Sequence, residues 1–391
     1  MSDDRRDFFG YLRNMITIGA SDLHLKVGAP PTYRIGGVLF AMEESGCSAS
    51  ELEELSNAIL TRQHREVYAK ELELDIAFSI PGTARYRVNF CCQRGTLGAS
   101  FRLVPMTIPS LSDLGLPGVL GDLVQQPSGL LLVTGATGTG KSTTVAAMLD
   151  HLNHVTARKI VTVEDPIEYL HRDDRCLIYQ REVGNDTHSF AHALKHILRQ
   201  DPDVVMIAEI RDLETLTTAL QAANTGHLVI TTLQAADVVQ ALQRLLAYFP
   251  PHQQHEVRRL LADNLRAVVS QRLVPLASGQ GRLPAVEVMV NGGTIREYLV
   301  DPAKTALIRE AVQAGAGHDG MQSFDQALVQ LVQKGLVAPD VALRHAARPN
   351  ELALQIRGLP GTAARAPSAG RVGVDPPVSL DDLDQSQRKA A

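Results

Sequence analysis

The sequence predicts an α/β protein with a largely parallel sheet, preceded by a smaller α+β domain, and three observations predict it. Residues 135–142 read Gly135-Ala136-Thr137-Gly138-Thr139-Gly140-Lys141-Ser142, between the apolar run Leu130–Val133 and a helix-compatible stretch from Ser142 to Leu152. From about 112 to 300, short apolar runs alternate with helical segments, the pattern of strands joined by crossover helices. The first hundred residues differ, with β-compatible runs near 23–39, 72–80 and 85–103 beside helical patches.

Each element follows from local pattern. Phe8, Phe9, Leu12 and Met15 share one helical face. The capping-box string Ser48-Ala49-Ser50-Glu51 precedes Leu52 and Leu55, and Pro81-Gly82 turns the second β run into the third. Residues Pro105-Met106-Thr107-Ile108-Pro109-Ser110 break both periodicities, so a domain over 1–104 and a linker over 105–111 are expected. In the α/β domain, 112–300, the expected strands are Leu130–Val133, Ile160–Val163, Val204–Ala208, Leu228–Thr231 and Ala285–Val290. Phe190, Ala193, Leu194, Ile197 and Leu198 trace an amphipathic helix that stops before Asp201-Pro202. A helical region is expected over 301–358, and 359–391, rich in Pro, Gly, Ala and Ser and then in charge, reads as a disordered tail.

Composition narrows the function. A chain of 391 residues favours two domains. A formal charge of -5 argues against a general nucleic-acid binder. No apolar run is long enough to span a bilayer, and the start Met1-Ser2-Asp3-Asp4-Arg5-Arg6 lacks a signal-peptide core, so a cytoplasmic protein that meets the membrane through partners is expected. Cys47, Cys91, Cys92 and Cys176 form no CxxC pair and are expected as reduced, partly buried thiols, with Cys91-Cys92 packed in the core.

A buried strand feeding a glycine turn that opens a helix aims backbone N–H groups at one point, where a polyphosphate can be held. Lys141 would reach the β- and γ-phosphates, and the Ser142 hydroxyl would join a Mg²⁺ shell. Hydrolysis also needs carboxylates. Glu164 follows Val161-Thr162-Val163, and Glu209 follows the run Val204–Ala208, at strand ends where such sheets bind ligands. Both also read as carboxylates that merely cap strands. His227 precedes the run Leu228–Thr231, where it could sense a γ-phosphate or simply pack. His192 and His196 share a helical spacing, but Ala193-Leu194-Lys195 between them lacks the glutamate of a zinc-hydrolase helix, so no metal site is expected there.

The ordered strings carry a resemblance. The phosphate loop, Val163-Glu164-Asp165-Pro166-Ile167-Glu168-Tyr169, Gln180-Arg181-Glu182-Val183-Gly184, Ala208-Glu209-Ile210-Arg211-Asp212-Leu213-Glu214-Thr215 and Thr225-Gly226-His227 resemble the secretion ATPases of type IV pilus and type II secretion systems, most of all the PilT/PilU pilus-retraction branch. Further similar strings are Ala20-Ser21-Asp22-Leu23-His24-Leu25, Arg85-Tyr86-Arg87-Val88-Asn89, Val269-Ser270-Gln271-Arg272-Leu273 and Met321-Gln322-Ser323-Phe324-Asp325.

The resemblance implies a hexameric ring whose protomers pair a PAS-like α+β domain with a RecA-like P-loop ATPase domain, with ATP and Mg²⁺ between domains and against a neighbour. It implies that Gly135, Ala136, Thr137, Gly138, Thr139, Gly140, Lys141, Ser142 and Thr143 hold the nucleotide and that Ser142 and Glu164 serve the metal. Glu164 falls in the Asp box, Glu209 is the Walker B catalytic glutamate, and His227 belongs to the His box. Arg87 and Arg102 match the arginines that approach the phosphates, with Arg85 and Arg94 as secondary candidates. An inner-membrane platform protein and a second retraction ATPase are the implied partners, with no nucleic acid.

Three departures stand out: Gln234 where a second histidine is common, Ala208 where glycine usually precedes the Walker B glutamate, and Thr294-Ile295-Arg296-Glu297-Tyr298-Leu299 in place of the retraction-associated string. A tetracysteine zinc segment, usual in assembly and export relatives, is absent from the sequence and favours retraction. The expected function is therefore an ATP-driven motor for pilus retraction and twitching motility. A weakly hydrolysing PilU-like accessory subunit is the alternative, followed by a RecA-like nucleic-acid translocase that the acidic balance disfavours.

Overall fold

The computed structural model describes residues 6–105, 107–316 and 320–358, so the expected tail lies outside the described residues, as does Met106 of the linker. The first domain opens with α1 (Phe8–Thr17), whose Phe8, Leu12 and Met15 are buried as their spacing requires. Strands β1 (Ala20–Lys26), β2 (Thr32–Ile35) and β3 (Val38–Ala41) follow, then α2 (Ala49–Ile59), α3 (Arg62–Glu71), β4 (Glu73–Ile80), β5 (Ala84–Gln93) and β6 (Thr96–Val104). The Ser48–Glu51 capping box forms at the start of α2. The apolar run 23–39 thus spans parts of three strands, and the run 85–103 folds back at Arg94-Gly95, where both residues take positive φ.

The six strands form one antiparallel sheet in the order β3-β2-β1-β6-β5-β4. Strand alternation puts Leu23, Leu25, Tyr86, Val88, Phe90 and Phe101 into a core with α1 and α2. The opposite face carries Asp22, His24, Arg87, Asn89, Ser100 and Arg102 toward the second domain. The same alternation overturns core packing of the cysteine pair: Cys91 is half-buried and Cys92 exposed, whereas Cys47 and Cys176 are buried.

Beyond this sheet come α4 (Val119–Val124), β7 (Gly129–Thr134), α5 (Lys141–Val155), β8 (Lys159–Glu164), β9 (Leu177–Glu182), α6 (Phe190–Ile197), β10 (Val204–Ile207), α7 (Leu213–Asn224), β11 (Leu228–Leu233), α8 (Val238–Ala247), α9 (Gln254–Asn264), β12 (Leu265–Pro275) and β13 (Arg282–Val290). The sheet order is β13-β12-β7-β11-β10-β8-β9, parallel throughout except for β13, which pairs antiparallel with β12. Buried side chains of α6 to α9 cover one face and those of α4 and α5 the other. Helices α10 (Gly293–Val300), α11 (Ile308–Ala314), α12 (Phe324–Gln333), α13 (Pro339–His345) and α14 (Pro349–Arg357) complete the helical C-terminal region. His192 and His196 lie on α6 with ring centroids 4.7 Å apart.

Candidate functional site

The loop after β7 turns on three glycines with positive φ. Gly135 has φ 155°, and a Cβ there would lie 2.4 Å from Thr139 Oγ1 and 2.6 Å from the Gln271 carbonyl oxygen. Gly138 and Gly140 take φ of 77° and 88°, and Gly140 caps α5. Gln271 on β12 secures the far side by donating from Nε2 to the Thr139 carbonyl at 2.6 Å. Lys141 Nζ donates to the carbonyl oxygens of Gly135 at 3.0 Å and Ala136 at 2.9 Å. Burial holds its pKa below the ordinary lysine value, against the pull of Glu209 and Glu168. An ammonium that donates to two carbonyl oxygens, beside a glycine turn that opens α5, fits a polyphosphate.

Glu164 ends β8 and is buried. Thr162 Oγ1 and Gln180 Nε2 donate to its Oε1 at 2.7 and 3.1 Å, while Oε2 receives only the longer 3.4 Å contact from Glu168 N. Burial raises its pKa, against these hydrogen bonds. A cation would offset that burial. The hard-oxygen pair of the exposed Ser142 hydroxyl and this carboxylate suits Mg²⁺. Glu209 lies just past β10, with Arg211 Nε donating to Oε2 at 3.1 Å and Gln234 Nε2 to Oε1 at 2.9 Å.

One cavity of about 770 Å³ is lined by Thr137, Gly138 and Gly140 to Thr143, by Glu164 and Glu209, and from the first domain by Arg87 and Arg102. The two arginines face each other across β5 and β6. Such like-charge pairing is unfavourable in itself. Each has a carboxylate neighbour: Asp22 accepts from Arg102 Nε at 2.8 Å, and Glu168 stands 4.0 Å from Arg87. Arg85 turns instead to Glu182 at 2.9 Å. Arg94 sits exposed in the β5–β6 turn, seven residues along the strand from Arg87 and on the order of 20 Å away.

Within one protomer the structure keeps His227 away from the loop. Its neighbour Leu228 pairs with Gly129, the first residue of β7, whereas the phosphate loop follows the last. About 17 Å of strand separates the two ends. The imidazole Nδ1 instead lies 3.1 Å from the Ala222 carbonyl oxygen, so within a protomer it packs against α7 and does not reach the loop.

Several site residues escaped role assignment from sequence. Tyr169 pairs its hydroxyl with Thr143 Oγ1 at 2.8 Å. His171 lines the cavity, with burial pushing its pKa down to about 4. Gln180 gives Nε2 to both Glu164 and the Tyr169 carbonyl and accepts from His171 N. Gln180, Arg211 and Gln271 lie within the quoted strings, but only pairing across strands assigns them a contact.

A family model for type II/IV secretion system proteins matches residues 113–320. The type IV pilus retractation ATPase PilT of Pseudomonas aeruginosa is 41% identical over 331 residues, covering 85% of this chain and 95% of PilT. The type IV pilus ATPase PilU of the same organism is 39% identical over 355 residues, covering 90% and 91%. The crystal structure of the pilus retraction motor PilT with bound ADP matches with a TM-score of 0.83 at 37% identity, covering 89% of this chain and 99% of that one.

Proposed function

We propose, from the premise that this chain belongs to the PilT/PilU family of type IV pilus retraction ATPases, that it hydrolyses ATP to drive pilus retraction and so twitching motility. The observation that carries the reading is the cavity that brings together Lys141, Glu164 and Glu209 with two arginines of the other domain. The PilT neighbour binds ADP at 37% identity, which supports nucleotide as the ligand.

In this reading the loop N–H groups and Lys141 bind the phosphates, Lys141 exchanging two carbonyl partners for an anion. Glu209 orients the attacking water and takes its proton. Ser142 and Glu164 would hold Mg²⁺, which neutralises phosphate charge when bound. Arg87 and Arg102 exchange Glu168 and Asp22 for the nucleotide as the two domains turn about the linker at 105–111. The finer proposal is a hexameric ring at the cytoplasmic face of the inner membrane, docked on the pilus platform protein and working beside a second retraction ATPase.

Glu209→Gln tests it. ATP binding is expected to persist while single-turnover hydrolysis falls roughly a hundredfold or more. Hydrolysis at the unaltered rate would reject Glu209 as the base and make Glu164 the first candidate. A second reading, a weakly hydrolysing PilU-like subunit, is favoured by Gln234 and by nearly equal identity to PilU. A low steady-state rate that rises when a partner ATPase joins the ring would select it.

A further inference from the structure

Glu209 and Gln234 stand just past the ends of neighbouring parallel strands, β10 and β11. Their backbones are pinned by groups other than the Gln234 carboxamide. Ile210 N donates to the Thr232 carbonyl at 3.1 Å, Thr232 Oγ1 to the Ala208 carbonyl at 2.6 Å, Tyr248 OH to the Ile210 carbonyl at 3.2 Å, and Arg244 Nη1 to the Gln234 carbonyl at 2.7 Å. The carboxamide is free for another task. Its Nε2 takes one Glu209 oxygen and Arg211 the other, while Arg211 Nη1 continues to Asp165 Oδ2 at 2.9 Å.

Arg211 alone would draw the Glu209 carboxylate toward Asp165, since its guanidinium already serves both acids. A second donor on the opposite oxygen sets the rotation of the carboxylate, and each oxygen keeps a lone pair for water. An amide does this without adding charge and without titrating over the working pH range. We propose that Gln234 is a positioning residue for hydrolysis, holding the Glu209 carboxylate in its water-accepting orientation against the pull of Arg211. This rests on Glu209 being the base.

Gln234 is exposed, so losing its single hydrogen bond leaves the fold intact. The test is a double-mutant cycle on the full-length chain: wild type, Gln234→Leu, Glu209→Gln and the double variant, each measured for ATP affinity and single-turnover rate. Gln234→Leu is expected to slow turnover about tenfold and leave ATP affinity within about twofold, as loss of orientation without loss of binding requires. In the Glu209→Gln background the leucine is expected to slow nothing further. A wild-type rate for Gln234→Leu beside a slow Glu209→Gln would overturn the positioning role alone. So would a leucine effect that persists without the Glu209 carboxylate, or one that falls on affinity. An unimpaired Glu209→Gln would overturn the assignment of the base beneath it.

Discussion

Removing the Arg85 guanidinium is expected to weaken the junction between the two domains through the charge it leaves behind. Arg85 Nη2 meets Glu182 Oε2 at 2.9 Å, with side chains 20% and 3% exposed. Stranding one partner of a buried pair costs about 3–5 kcal/mol when nothing else compensates it. Here Ile167 N still donates to Oε2 at 3.1 Å and Asn185 Nδ2 to Oε1. With those donors left in place, Arg85→Met should cost about 2 kcal/mol, the worth of one charge-assisted hydrogen bond and its stranded charge. At an ordinary urea dependence this lowers the first unfolding midpoint by about 1 M. Adding Glu182→Gln removes the stranded charge, so the double variant should unfold at higher urea than Arg85→Met. Urea titrations of the three proteins decide it. A wild-type midpoint for Arg85→Met, or a double variant weaker than the single, would refute the reasoning.

Two further outcomes are expected. Lys141→Ala should abolish both nucleotide binding and turnover, because it deletes the cation at the loop; unchanged binding of a fluorescent ATP analogue would place the site elsewhere. Burial raises the Glu287 pKa to about 7 despite the hydrogen bond from Val238 N, with Asp237 adding to the rise and Arg309 and Arg272 opposing it. The native state therefore keeps a proton that the unfolded chain gives up near 4.5, so this contribution is full below pH 4.5 and is lost as pH rises to 7. The loss is on the order of 3 kcal/mol. Glu287→Gln should flatten it, and denaturation midpoints at pH 5.5 and 8 with equal slopes for both proteins would contradict the assignment.

Legibility in the sequence followed how local the determining physics is. The start of α2 is written in four residues, and the five expected strands of the second domain all form, because a short apolar run between helices has one stable use. Strand β12 escaped because Arg266, Ser270, Gln271 and Arg272 interrupt its apolar pattern. Those polar groups find specific partners across the fold: Ser270 Oγ meets Thr134 Oγ1 at 2.7 Å, and Arg266 Nε donates to the Ser128 carbonyl at 2.8 Å. Edge strand β9 escaped for a related reason, since its alternation of exposed Leu177 and Tyr179 with half-buried neighbours reads as loop without a sheet beside it.

The site divides along the same line. Motif residues that follow a strand could be located, because parallel strands deliver their C-terminal ends to one edge: Lys141, Glu164 and Glu209 line one cavity for that reason. His227 precedes its strand and is carried to the opposite edge of the same protomer's sheet by the same rule. The charge environment was not legible at all. Which carboxylate Arg102 meets depends on β1 pairing beside β6, and which donor Glu209 meets depends on β10 pairing beside β11. Residues 80 apart in the first case and 25 apart in the second are brought together by register alone. A histidine-to-glutamine departure at 234 therefore reads in sequence as a lost titrating group, whereas in the fold it is a neutral donor against the Glu209 carboxylate. Its effect is to be sought in the orientation of Glu209 and in kcat, with nucleotide affinity left to the phosphate loop.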